Sequence, residues 1–375
     1  YITAIGAKEV FKYPKVSDYK SAFLKKPSSI NVALLTGHSM LRVQAMNGDI
    51  SRSANNDEIN VMQKMLDEAL REGSIGLSTG LAYPAASAAP TEEIIELAKV
   101  LKAYDGIFTT HMRNEGDDLL KSVQETIDIG KIAGVRTVIS HHKCAGRTNW
   151  GKSIKSLNLI EKAKKEQYLD LDCYPYTASS TMLLKNFVAR ADKVLVTWSD
   201  KVKDLKVNDI NVLTKKFNCS VDDVVDKLYP AGAIYFQMDD EDLNRILKFS
   251  GSMIGSDGLP GDKHPHPRLW GTFPRVLGKY SREMKLFSLE EAIFKMSGKS
   301  SSTFGLKKRG LLKEGYFADI VIIDENNVID NATYEEPLLP SSGIEKVFTN
   351  GKLVWENMTA TENFSGKFLE GKSFN

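Results

Sequence analysis

Short apolar runs alternate with amphipathic stretches along most of this 375-residue chain. "INVALLTGH" (30–38), "IGLSTG" (75–80), "IFTTHMR" (107–113), "RTVISHH" (136–142), "YLDLDCYPY" (168–176) and "GSMIGSDG" (251–258) read as strands. Helical patterns lie between them. One is "NDEINVMQKMLDEALREG" (56–73), with Asn or Asp at its start and Gly at its end; another is "PTEEIIELAKVLKAY" (90–104), opened by Pro90 and Thr91 ahead of two glutamates. Two more cover about 117–133 and 152–167. Apolar strands separated by helices are the signature of parallel βα units. His38, Thr79, His111, His141, Tyr174 and Asp257 fall at the carboxyl ends of the six strands, the edge that carries the active site in α/β barrels and open α/β sheets. The expected fold is a (β/α)8 TIM-type barrel. A doubly wound sheet is the other candidate, lowered by the lack of a glycine-rich loop after the first strand.

Two stretches break the rhythm. Residues 177–250 hold more than one crossover helix can use and include the strand-like "KVLVTWS" and "AGAIYFQM". They are expected to form a lid-like insertion in a barrel domain spanning 1–310. From about 311 the pattern changes to "YFADIVIID" and "IEKVFTNGKLVWEN", where Asn350-Gly351 between two alternating runs signals a hairpin. Residues 311–375 therefore read as a small β domain.

Composition narrows the class. Hydrophobic residues make up 42% and charged residues 26%, with 50 basic against 48 acidic side chains and a net charge of +2. No basic stripe is present, so nucleic acid is not an expected partner. No apolar run approaches the roughly 20 residues of a membrane span, so no membrane association is expected. Three cysteines (Cys144, Cys173, Cys219) are too scattered for a disulfide framework, and the default compartment is cytoplasmic.

His111 and His141 end consecutive strands, and neighbouring parallel strands lie about 4.8 Å apart. Two inward imidazoles there can share a metal, and zinc suits them. By strand parity Ile139, His141 and Lys143 share one face while Val138, Ser140 and His142 share the other. One of the adjacent histidines thus looks into the barrel and the other away. Asp257 shares a face with Met253 and Gly255; a carboxylate beside a metal-activated water can take its proton and pass it to a leaving amine. A strand-end histidine can equally be a structural hydrogen-bonding residue. Spacing alone fixes neither the metal nor the reaction.

"GHSMLR", "FTTHMRNEG", "VISHHKCAG", "LDCYPYTASSTML", "PAGAIYFQMDD" and "MIGSDGLPGDKHPHPRLWGTFPRVLGKYSRE" together resemble the N-acyl-D-amino-acid deacylases (D-aminoacylases) of the amidohydrolase superfamily, over nearly the whole chain. The resemblance implies a zinc hydrolase on a (β/α)8 barrel with a small β-sandwich, cleaving N-acyl-D-amino acids to a carboxylate and a free D-amino acid. It implies one tight zinc held by His111 and His141 from the fifth and sixth strands. Asp257, from the eighth, becomes the catalytic acid/base and a potential ligand of a second, weaker metal. Lys143 and Tyr174, helped by Arg268, would hold the substrate carboxylate. His142 becomes a packed neighbour, with its use as the ligand the alternative. His38 and Glu115 would support the ligands or the structure, and His264 and His266 would be loop residues. Within the lid, Tyr235 and Met238 would line the side-chain pocket, or else be lid core. An apolar pocket would favour D-methionine, D-leucine or D-phenylalanine derivatives over acidic ones.

The resemblance also has gaps. If the six strands are the third to eighth, the superfamily's His-x-His on the first strand and the subfamily's bridging cysteine on the second have no match here. The reading that follows is a chain truncated at its amino terminus, with an open barrel and an incomplete zinc site. Two other functions compete: a cyclic-amide hydrolase, for which "IGLSTG" lacks the metal-bridging lysine, and a degenerate relative that binds without catalysis.

Overall fold

The computed structural model describes residues 12–371, so positions 1–11 and 372–375 of the two expected domains lie outside the described residues. The strands of the main sheet are β1 (Leu35–Gly37), β2 (Gly76–Gly80), β3 (Ile107–His111), β4 (Arg136–Ile139) and β5 (Leu169–Cys173). An insertion follows, with β6 (Ala178–Met182), β7 (Lys193–Ser199), β8 (Asn208–Asp209) and β9 (Ala231–Phe236), and then β10 (Ser252–Ile254) returns to the main sheet. That sheet is parallel and six-stranded, in the order β1-β2-β3-β4-β5-β10.

Helices Asn56–Arg71, Thr91–Leu101, Leu119–Ala133 and Ser153–Ala163 connect the first five strands. The first begins at a reciprocal cap: the Asn55 side chain accepts the Glu58 N–H at 2.9 Å, and the Glu58 carboxylate accepts the Asn55 N–H at 2.8 Å. Its buried stripe Met62, Leu66 and Leu70 repeats every four residues and packs with Leu77, Ile94, Leu97 and Leu101. Burying each such side chain stabilises by about 1.5–3 kcal/mol, so this layer between strands and helices holds the barrel wall.

Register decides which side chains face inward. Leu35 pairs with Gly76, Gly76 with Ile107, Thr109 with Val138, Val138 with Asp170, and Asp172 with Met253. Ile107, Val138 and Met253 meet Leu35 and Phe304 in one cluster, so the two edge strands approach one another and the sheet curls. The alternate residues Phe108, Ile139, Leu171 and Ile254 face the helices.

The elements differ from the sequence reading in three places. β1 begins only at Leu35, and His38 opens a helix, His38–Ala45. β4 ends at Ile139, two residues short of the histidine pair. The insertion is an antiparallel sheet, order β6-β9-β7-β8, with its own core of Leu183, Val196, Ile210, Leu213 and Val224. It gives way after Phe236 to helix Asp240–Lys248, whose Leu243, Ile246 and Leu247 join the core beneath Ser153–Ala163. That helix serves the barrel rather than the lid-like insertion.

The tail forms an antiparallel sheet of β11 (Ile320–Ile323), β12 (Ile344–Thr349), β13 (Lys352–Glu356) and β14 (Thr359–Ala360) in that order. Asn350 and Gly351 take φ of 49° and 80°, as a two-residue hairpin turn requires. No helix among the described residues is long and apolar enough to cross a membrane.

Candidate active site and metal centre

His111 ends β3 facing inward, level with Gly80 of β2. His141 reaches the same cavity by a different route from the one parity assigned. Val138 is the inward residue of β4 and Ile139 faces the helices, so continued alternation would send His141 outward with Ile139. Instead the strand stops and His141 takes a left-handed φ of 40°, which turns its ring inward. Its N–H donates to Asp172 Oδ1 at 2.8 Å, and the His142 N–H donates to the Asp172 carbonyl at 2.7 Å. His142 packs outward, its Nε2 2.9 Å from Ser156 Oγ.

His111 Nδ1 and His141 Nε2 face each other at 3.1 Å. On its other side, His141 Nδ1 lies 3.0 Å from Glu115 Oε1, which also accepts from Lys143 Nζ at 2.6 Å. Lys143 Nζ is itself 2.7 Å from His141 Nδ1, and Glu115 Oε2 is 3.8 Å from His111 Nε2. Burial pushes the Glu115 carboxyl up, but Lys143, His111 and His141 outweigh it and leave the group well below the usual carboxylate range. Burial likewise drives His111 down to about 3, so its ring is neutral at ordinary pH. His141 thus turns Nδ1 toward Glu115 and Lys143 and Nε2 toward His111. A divalent metal fits this donor set: an imidazole nitrogen from each histidine, with the Glu115 carboxylate as a third donor.

Asp257 follows β10 at φ 49° and lines the same cavity, its side chain 36% exposed. Burial raises its carboxyl, and Arg268, then His141 and Lys143, more than offset that, so it is ionised and able to accept a proton. Arg268 Nη1 lies 2.8 Å from Asp257 Oδ2, while Nη2 donates to the Ser180 carbonyl of the insertion at 3.2 Å. Arg268 Nε and Nη1 are buried without an aligned acceptor, as is the Tyr174 hydroxyl, over whose ring the guanidinium sits at 4.4 Å. These orphaned donors and the Lys143 ammonium enter one cavity of about 210 Å³ with both histidines.

Comparison with known proteins places this arrangement. An amidohydrolase family model matches residues 251–355. The chain is 46% identical over 359 residues to a D-aminoacylase of Alcaligenes xylosoxydans xylosoxydans, covering 96% of this chain and 74% of that protein. The chain belongs to the D-aminoacylase family. A D-aminoacylase crystal structure superposes with a TM-score of 0.96 at 45% identity, over 98% of this chain and 78% of the other. An N-acyl-D-glutamate deacylase from Bordetella bronchiseptica, complexed with zinc and a phosphonate inhibitor, superposes with a TM-score of 0.92 at 39% identity, over 95% and 75%. Relatives in this family thus hold metal ions and act as hydrolases on linear amides, on the barrel architecture seen here.

Two family-derived expectations need correction. Tyr235 does not line the cavity: it is 0% exposed, and its hydroxyl donates to the Met182 carbonyl at 2.6 Å and accepts the Leu184 N–H at 3.0 Å. Met238 packs behind the site against Tyr174 and Tyr176. Both are core. The cavity wall of the insertion is made instead by Met182, Phe187, Arg190 and Trp198.

The sequence reading also undervalued three groups. Glu115 links both histidines to Lys143. Tyr83 lays its ring 4.8 Å from that of His111 and brings its hydroxyl within 3.2 Å of Thr181 Oγ1 in the insertion. Arg190 enters the cavity from the insertion. The four-residue step from His111 to Glu115 was the one visible hint; Tyr83 and Arg190 sit in irregular segments with no spacing to betray them.

Proposed function

We propose that this chain is a zinc-dependent deacylase that hydrolyses the amide bond of N-acyl-D-amino acids. The observation that carries this reading is the pair of facing imidazoles, His111 and His141, in one cavity with the ionised Asp257 and the orphaned donors of Arg268 and Tyr174. Zinc bound at the histidine pair, with Glu115 beside it, would supply a Lewis acid for the scissile carbonyl and an acidified water. Asp257 takes the proton of the attacking water at its carboxylate and delivers it to the amide nitrogen as the C–N bond breaks. Arg268, Tyr174 and Lys143 hold the substrate's α-carboxylate, with the Arg268 fork suited to a bidentate grip. Glu115 holds the His141 ring in place through its Nδ1 side. An anchored carboxylate, a fixed amide and a walled side-chain pocket make three points, and three points admit one enantiomer.

The direct test is Asp257→Asn. It is expected to lower deacylation of an N-acetyl-D-amino acid by roughly 10²–10⁴-fold while the zinc content stays at the wild-type level. Turnover within a few-fold of wild type would remove Asp257 from the chemistry.

A further inference from the structure

The cavity holds three cationic side chains, and two are accounted for: Lys143 is bonded to Glu115, and Arg268 is paired with Asp257. Arg190 is different. Among the described residues its guanidinium has no ion pair and no hydrogen bond, and its Nε is buried without a partner. It lies over the Phe187 ring at 4.6 Å, a contact that fixes the plane of the group without using its donors. The barrel loops leave room for it. A Cβ on Gly116 would come 3.1 Å from Arg190 Nη1, and one on Gly146, at φ 91°, would come 3.4 Å from Arg190 Cβ. An unpaired guanidinium, held in place in a substrate cavity, is a planar fork for a carboxylate.

We infer that Arg190 recognises a carboxylate on the substrate's side chain, so that this chain prefers N-acylated acidic D-amino acids, of the glutamate or aspartate type, over neutral ones. The inference rests on the deacylase reading above. The α-carboxylate already has Arg268, Tyr174 and Lys143, and the amide belongs at the histidine pair, so a second anion is what remains for Arg190 to bind. A neutral apolar side chain would bury the guanidinium with its donors unmet, a cost that discriminates against it.

The test compares kcat/KM of the zinc-loaded protein for N-acetyl-D-glutamate, N-acetyl-D-aspartate, N-acetyl-D-glutamine and N-acetyl-D-methionine. At least one acidic substrate is expected to exceed both neutral ones by about a hundredfold. Arg190→Gln should remove most of that advantage, lowering kcat/KM for the acidic substrate and raising it for N-acetyl-D-methionine, and Arg190→Lys should restore part of it. Turnover of N-acetyl-D-methionine equal to that of both acidic substrates would overturn the role of Arg190 while leaving the deacylase reading intact. Turnover of none of the four would overturn the deacylase reading itself. The wild-type comparison decides the matter even if the variants fail to fold.

Discussion

His111, His141 and Asp257 could be read from the sequence because each lies at or within three residues past the carboxyl end of a strand, and the ends of parallel strands converge by geometry. The facing of His141 could not. It depends on a single left-handed residue after β4, which no alternation of apolar and polar positions encodes. Glu115 was likewise placed only loosely, because its bonds to His141 and Lys143 cross between two loops. Outside the site, His266 shows what burial does to one ring. It sits between Tyr176 and Tyr334, with centroids at 5.1 and 5.2 Å, and its Nδ1 accepts the Arg268 N–H at 2.9 Å. Burial pushes its pKa well below the ordinary 6.5. The unfolded chain then takes up a proton that the folded one refuses, so stability rises with pH. This contribution is complete above about pH 6.5 and is lost as the pH falls below it. Denaturant unfolding should give a lower stability at about pH 5.5 than at about pH 7.5, and His266→Gln should shrink that difference. A difference unchanged in the variant would contradict the assignment.

Among the elements, the parallel strands and their connecting helices were legible because each helix carries a clear apolar stripe and each strand a short apolar run. The insertion was legible as an interruption but not as a wall. Period-2 alternation shows that β9 has two faces, and nothing in it says which face its own helices cover. Tyr235 went to that covered side, where it joins Phe187 and Val224 in the insertion's core. The closest approach in the barrel wall belongs to Gly76, where a Cβ would stand 2.0 Å from the Ile107 carbonyl oxygen. The obstacle is backbone, at the first pair of the β2–β3 ladder, and cannot swing away. Gly76→Ala is therefore expected to destabilise the fold by about 3 kcal/mol or more, measured by chemical denaturation. A loss below about 0.5 kcal/mol would mean that the two strands are not so tightly apposed.

For the whole molecule, three parts of the structure meet over one cavity: the carboxyl edge of the parallel sheet, the insertion above it, and the segment after β10, whose loop carries Asp257 and whose helix Arg268–Arg275 opens with Arg268. Arg268 joins the last two by bonding the Ser180 carbonyl, and Tyr83 joins the first two through Thr181. On the proposed reading, substrate entering there meets side chains from all three, and the handedness of the substrate decides whether it is hydrolysed. The most direct measurement is release of the free amino acid from the D and L forms of one N-acetylated amino acid by the zinc-loaded protein, run with the acidic pair and a neutral pair. Hydrolysis of the D form alone, abolished by chelation and restored by zinc, is the expected result. Equal hydrolysis of both enantiomers, or D turnover indifferent to chelation, would contradict a metal-dependent D-amino-acid deacylase.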